Sequence, residues 1–384
     1  MLQKQKVISA DSHVFEPATL WEERLDKSLR DRAPRIIANY GGQDGSFFVV
    51  EGIAPRRIAG ISALAVKPED LPAFNGAGVQ DLRRGGWDPV ERLKDQDIDG
   101  LSAEVIYATY TMFLFGLSDS VLQEACFQAY NTWLAEYCSH APHRLTGLAL
   151  ISLLNVDNAV AEMERCAKLG LKGAMISIVP PEGVELSHAR FDPFWSAAAE
   201  LDFPISLHIL TGSRQTVKRF DSLHIQGLKR FGNDFGAGYY MAIPHEMQLT
   251  LTDIIVRGVL ERHPRLKLVL AEGDIGWIPH FLERLDRAHT RYAHQNKIYL
   301  DMAPSAYFHR QVYATFINDR VGVVNREFVG VDNLMWSSDY PHTDSCWPES
   351  RKVIARDFAG VTAEHKDKMV NQNVARLYKL DVTQ

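Results

Sequence analysis

A carboxylate and an imidazole stand two residues apart in the segment Asp11-Ser12-His13. In an extended chain, residues two apart face the same side, so these two groups point together. His208, Glu272 and Asp339 each end a short apolar run elsewhere in the chain, and His342 follows Asp339 closely. Imidazoles suit Zn²⁺, Fe²⁺ and similar ions, and carboxylates add harder, charge-neutralising oxygens. Asp11, His13, His208 and Asp339 therefore form a candidate site for a divalent metal, whether Zn, Mn or Fe. Three or four protein ligands leave one position open, where bound water becomes acidic enough to serve as hydroxide near neutral pH. Singly, each residue has a plainer use: His208 as a hydrogen-bonded core histidine, Asp339 and Glu272 as caps or Asx turns. Their joint placement is what points to chemistry.

That placement depends on the elements around them. Short apolar runs read as strands over Val7–Ala10, Ala103–Tyr107, Leu145–Leu150, Gly173–Ile178, Pro204–His208, Leu266–Ala271, Ile298–Asp301 and Leu334–Ser338. Helical spacing follows each of them, as in Ser120–His140, Val156–Leu169, Pro244–Arg262, Ile275–His294 and Tyr307–Asn318. Two further helices read over Pro348–Phe358 and Thr362–Leu380. The strands are apolar rather than alternating, as parallel strands covered on both faces should be. Eight strand–helix units in series predict an α/β fold, a (β/α)₈ TIM barrel, rather than a very wide open sheet. No G-x-G-x-x-G or P-loop pattern follows any strand.

Active sites in such barrels lie at the C-terminal ends of the strands. The first strand runs into Asp11 and His13, the fifth ends in His208, the sixth in Glu272, the seventh in Asp301 and the eighth in Asp339. Strands two to four end in Thr109, Ile151 and Val179, which are poor ligands; Asp301 reads better as a structural residue. The chain reads as one barrel domain over 1–384. Residues 17–86 form an insertion on the catalytic face, and 210–243 a lid loop. These loops carry many aromatic residues, which suits a small aromatic or hydrophobic acid. Arg214 is placed to pair with a substrate carboxylate, with Trp336 and His342 as further substrate contacts.

Composition narrows the field. The sum of 42 basic and 48 acidic residues gives −6, and no long basic run appears, so neither nucleic acid nor an anionic membrane is expected as a partner. No apolar run reaches the ~20 residues that span a bilayer. The apolar start is too short for a signal-peptide core. The four cysteines show no C-x-x-C spacing, which suggests a reduced, cytoplasmic protein. A small-molecule substrate and a homo-oligomer are expected.

Five segments resemble a known family. Ile8-Ser9-Ala10-Asp11-Ser12-His13-Val14-Phe15-Glu16-Pro17 is similar to the opening of amidohydrolase-related members of the metal-dependent hydrolase superfamily. This branch includes aminocarboxymuconate-semialdehyde decarboxylase and the resorcylate-type decarboxylases. The segments 259–264, 270–279 (Leu-Ala-Glu-Gly-Asp-Ile-Gly-Trp-Ile-Pro), 335–342 (Met-Trp-Ser-Ser-Asp-Tyr-Pro-His) and 373–378 are similar too, in the family's order. The resemblance implies a distorted barrel, one catalytic metal, and ligands at Asp11, His13, His208 and Asp339. Its decarboxylases hold a substrate carboxylate and neighbouring hydroxyl on the metal; its hydrolases use metal-bound water with the strand-eight aspartate as base.

Two departures stand out. The first ligand position, often His or Glu in the family, is Asp11. The sixth-strand position, often a catalytic His, is Glu272. His245 or His342 is a candidate replacement, leaving Asp339, Glu272 and His245 as candidate catalytic residues. Counting Glu16 and Glu272 as further ligands gives more donors than one Zn²⁺ needs. The expected function is thus a metal-dependent hydrolase or non-oxidative decarboxylase of a small carboxylate with one metal per chain. The alternative is a dinuclear iron or iron–manganese oxygenase on the same fold, with two.

Overall fold

The computed structural model describes residues 5–181, 184–212 and 237–381. Its central strands are β1 (Ile8–His13), β5 (Ala103–Tyr107), β6 (Leu145–Gly147), β7 (Ala149–Leu150), β8 (Ala174–Ser177), β9 (Ile205–His208), β10 (Leu268–Ala271), β11 (Val312–Phe316) and β12 (Leu334–Trp336). They pair in parallel in two arcs, β1-β5-β6 and β12-β11-β10-β9-β8-β7. At one join, Leu148 N–H donates to Ile106 O and Ala149 N–H to Gly173 O, so β6 and β7 are one bent strand shared by both arcs. At the other, Asp339 N–H donates to Asp11 O at 3.0 Å. The arcs thus complete the barrel that the eight-unit pattern predicts.

Local chemistry explains why the helices begin where they do. Asp88, Asp119 and Asn155 cap the helices Pro89–Asp99, Ser120–Cys138 and Val156–Lys168, each accepting backbone N–H groups of the first turn. Gly100, at φ 74°, ends the first of these in the left-handed conformation that glycine adopts without a Cβ clash. One hydrophobic cluster runs from Val7 to Tyr378 between strands and helices.

Two expectations need correction, and two more concern the loops. The seventh strand is Val312–Phe316, while Ile298–Asp301 forms no strand and Asp301 is exposed. The run Val-Tyr-Ala-Thr-Phe carries β-branched and aromatic residues that favour a strand, but the preceding helix Pro304–Gln311 was read as continuing through it. The helix expected from Pro244 already begins at Ala237, so that Pro244 lies inside it, and it stops at Val256. The third expectation concerns the insertion: it holds a small antiparallel sheet, β2 (Arg35–Ala38), β3 (Ser46–Val50) and β4 (Ile53–Arg57). Residues of this insertion touch loops beyond barrel strands: Ser62 Oγ lies 2.9 Å from Tyr110 Oη, and Thr343 N–H donates to Ile61 O. Its Phe48 packs against Trp21 of the same insertion and against Tyr110 and Phe113 beyond β5. Fourth, of the expected lid, residues 213–236 lie outside the described residues, Arg214 among them.

No described helix is long and apolar enough to cross a membrane. All four cysteines are free.

A buried ion pair backs the first strand. Arg92 Nε donates to Glu104 Oε2 at 2.6 Å, both side chains about 1% exposed. Removing one partner of such a pair strands the other charge, which typically costs ~3–5 kcal/mol. Arg92→Ala is therefore expected to lower unfolding stability by about that amount in urea titration. Arg84→Ala, which removes the exposed pair with Asp88, should leave the midpoint near wild type.

Candidate metal centre

The site grows out of the end of β1. The pairing of β1 with β5 slips between Ser9 and Ser12, and Ser9 Oγ donates to Asp11 O within that slip. The irregularity brings Asp11 and His13 to one cluster as the two-residue spacing predicts. From the opposite edge, the backbone bond of Asp339 to Asp11 O brings the eighth strand's aspartate beside them. Asp339 has φ 54° and Glu272 φ 57°. Both are left-handed conformations that a side chain with a Cβ adopts at a cost, and such residues concentrate at functional sites.

The side chains converge closely. His13 Nε2 lies 3.4 Å from both Asp11 Oδ1 and Asp339 Oδ1. His208 Nε2 lies 3.8 Å from Asp11 Oδ1 and 3.3 Å from Glu272 Oε2. Yet Asp11 Oδ1, His13 Nε2, His208 Nε2 and both Asp339 carboxylate oxygens are buried without a hydrogen-bond partner. Native interiors rarely leave such atoms unpaired, and an ion is one explanation of a group of them. The other nitrogen of each ring is occupied: His13 Nδ1 meets Ala108 O at 2.7 Å, and His208 Nδ1 meets Ile209 O at 2.9 Å. That is how metal-binding histidines are held, with one nitrogen fixed by a carbonyl and the other turned to the ion. The donor set and its unpaired atoms fit a divalent metal.

His342 joins from the loop after β12. Its ring stacks on His13 with centroids 3.9 Å apart. Its Nδ1 lies 3.0 Å from Asp339 Oδ1, and its Nε2 lies 2.9 Å from Thr109 Oγ1. Among the described residues, two groups have metal-holding geometry: Asp11, His13 and His208, and His13, Glu272, Asp339 and His342.

The charges respond to each other. Burial alone would raise the Asp11 carboxyl, but His13 and His208 outweigh it and hold Asp11 well below its ordinary range. Burial would likewise lower His208, but Asp11 and Glu272 raise it to about 9. Burial and the neighbouring His342 push His13 down to about 3. Burial and His208 do the same to His342, also to about 3. Glu272 is pushed well above its ordinary value by burial and then by Asp339, and Asp339 by burial and then by Asp11. A cluster this anionic favours either a bound cation or a retained proton.

Other expected site residues are elsewhere. Glu16 is buried but does not reach the cluster. Its Oε1 accepts from Thr109 N–H, Thr111 N–H and the Thr111 hydroxyl, and its Oε2 from Tyr110 N–H. Both oxygens are thus committed to the loop after β5. His245 is exposed on its helix, with Nδ1 3.0 Å from Met241 O. Trp336 is wholly buried in the hydrophobic cluster. Thr315 and Thr109 were missed. Thr315 touches both Asp11 and Glu272, and placing the seventh strand at Val312–Phe316 would have put it at that strand's C-terminal end.

Comparison with known proteins adds kinship. The chain is 25% identical over 267 residues to the gamma-resorcylate decarboxylase of Rhizobium sp. (strain MTP-10005), covering 65% of this chain and 75% of that protein. A solved amidohydrolase from Mycobacterium avium subsp. paratuberculosis K-10 superposes with TM-score 0.77 at 21% identity, over 98% of this chain and 99% of that one. The 5-carboxyvanillate decarboxylase of Novosphingobium aromaticivorans DSM 12444, complexed with manganese and 4-hydroxy-3-methoxy-5-nitrobenzoic acid, superposes with TM-score 0.72 at 21% identity, over 98% and 97% of the two chains. The structural likenesses establish the same barrel fold. The amidohydrolase family model matches from Ile53, where β4 begins, to Leu380, just past the last helix, and on that match the chain belongs to the amidohydrolase family.

Proposed function

We propose that this protein is a metal-dependent, non-oxidative decarboxylase of a small aromatic carboxylic acid that carries a hydroxyl beside the carboxyl group. The observation that carries the reading is the set of buried, unpartnered donor atoms on Asp11, His13, His208 and Asp339. The gamma-resorcylate relative and the manganese-bound carboxyvanillate neighbour supply the substrate class.

A divalent metal held by Asp11, His13, His208 and Asp339 would supply Lewis-acid stabilisation for a carboxylate substrate. The protein's own groups do the rest. Asp11 and Asp339 would contribute the negative charge that balances the ion, and His13 and His208 ring nitrogens oriented by backbone carbonyls, His208 losing its proton when an ion binds. Glu272, whose side chain is 17% exposed, has access to the barrel mouth, and burial favours its protonated form. It gives that proton to the ring carbon while the carbon–carbon bonding pair passes into the ring and CO₂ leaves. The Glu272 carboxylate then regains a proton from water. This takes the role that a histidine holds at the sixth strand in much of the family.

The two donor groups favour a second reading, the dinuclear oxygenase. Both groups use His13, however, and its Nδ1 is tied to Ala108 O, so only Nε2 is available to either. With Glu16 committed to amides, three carboxylates remain in the cluster. One divalent ion, two ionised aspartates and a protonated Glu272 already balance in charge.

Metal analysis of protein purified without chelator is expected to give about one ion per chain, as a four-donor site holds; two ions with iron prominent would replace this reading by the oxygenase. Incubation with ortho-hydroxybenzoates should release CO₂ without consuming oxygen. Asp339→Asn is expected to lose both metal and turnover, and full turnover in that variant would sink the metal-dependent reading. Glu272→Gln should keep its metal and lower kcat by ~10²–10⁴-fold, the usual worth of a positioned acid. A fall in metal content instead would make Glu272 a ligand.

A further inference from the structure

We propose that Thr315 is a positioning residue for the metal centre, one whose single hydroxyl sets both how Asp11 presents its carboxylate and where Glu272 points. The inference rests on the metal-dependent reading above. Thr315 lies on β11, fully buried. Its Oγ1 accepts from the Glu272 backbone N–H at 2.9 Å and lies 3.1 Å from Asp11 Oδ2 as donor.

The direction of both bonds is forced. An amide only donates, so Oγ1 accepts from Glu272 and has its one proton left for Asp11. The carboxylate oxygen that receives this proton is Oδ2. The other, Oδ1, is the one left buried without a partner and facing His13 and His208. Thr315 thereby divides the Asp11 carboxylate into an anchored oxygen and a free one, which fixes its rotation about the last side-chain bond. Metal ligands are characteristically oriented in this way by an outer hydrogen bond, and loss of such a bond weakens metal binding by roughly 10–100-fold.

The second bond acts on the other half of the site. Glu272 has φ 57°, a backbone conformation that a glutamate does not favour by itself. Its N–H is past the end of the β9–β10 ladder, whose last paired residues are His208 and Ala271. The Thr315 hydroxyl satisfies that N–H and stabilises the turn that puts the Glu272 carboxylate 3.3 Å from His208 Nε2. Asp11 and Glu272, on strands that are not neighbours in the barrel, are joined through one oxygen atom. Filling space alone does not call for this residue, because valine has the same shape without the hydroxyl.

The test uses the full-length protein stripped of metal, titrated with Mn²⁺ alone, with the loss of the free-ion electron-spin signal as readout. Thr315→Val is expected to weaken Mn²⁺ binding by ~10–100-fold while the far-ultraviolet circular dichroism stays native. Thr315→Ser, which keeps the hydroxyl, should bind within about threefold of wild type. At saturating Mn²⁺ the valine variant should still show a lowered kcat, because Glu272 is no longer aimed. Thr315→Ala, which leaves room for a water, serves as the second variant should valine prevent folding, and its binding should lie between those of serine and valine. Wild-type affinity in the folded valine or alanine variant would overturn the positioning role and leave the metal reading standing. Equal weakening in serine and valine would overturn it too, since the effect would then follow shape rather than the hydroxyl. A wild type that binds no Mn²⁺, Zn²⁺ or Fe²⁺ would overturn both proposals.

Discussion

An ionised carboxylate taken from water into a protein interior loses several kcal/mol of solvation unless something replaces it. Asp11 and Asp339 are both in that position, fully buried and side by side, with Glu272 next to them. Hydrogen bonds from the protein replace only part of the lost solvation. Asp11 has one oxygen satisfied by Thr315, and Asp339 has neither satisfied. A cation between these oxygens and the free nitrogens of His13 and His208 would repay the whole cost. Without one, the cluster lowers its charge by holding protons, which is the direction in which Asp339 and Glu272 are both pushed.

Much of the surrounding structure holds this arrangement against its own repulsion. Arg92 Nη1 donates to the carbonyl of His13 at 2.7 Å, and its guanidinium lies 4.2 Å from the centre of the Tyr340 ring, the residue after Asp339. The same Arg92 meets Glu104, which accepts from Ser12 Oγ at 3.0 Å; Ser12 meets Ser9, and Ser9 accepts from the Ser338 N–H. The residues flanking Asp11, His13 and Asp339 are therefore tied into one buried polar network. A buried network of this kind restricts the motion of its members. It holds the left-handed Asp339 at its strand end, and the Thr315 hydroxyl does the same for the left-handed Glu272.

The barrel was legible because its signals are local. Apolar runs such as Leu-Val-Leu-Ala at 268–271 and caps such as Asp88 and Asp119 act within a few residues. Their periodicity therefore reads directly off the chain. The seventh strand was misread where two local signals compete: Val312–Phe316 follows its helix without a break, and an apolar stretch near Ile298 offered a substitute. The clustered residues Asp11, His13, His208 and Asp339 were legible for the same reason, being strand-end residues in a chain of parallel strands. Glu16 was not, because three amides some ninety residues further on decide what its carboxylate does.

The sequence by itself determined the architecture and which strand-end side chains, Asp11, His13, His208 and Asp339, meet in one cluster. Secondary-structure periodicity and strand direction are properties of short segments, and they fix which residues reach the barrel mouth. Only the tertiary structure decided what those residues do to one another. It diverted Glu16 to the loop at 109–111, stacked His342 on His13, brought Thr315 between Asp11 and Glu272, and left Oδ1 of Asp11 and both oxygens of Asp339 without hydrogen-bond partners. The physical reason is range. Hydrogen bonds and Coulomb interactions between buried groups act over a few ångströms in space, and contacts that close between residues hundreds of positions apart exist only once the barrel has closed.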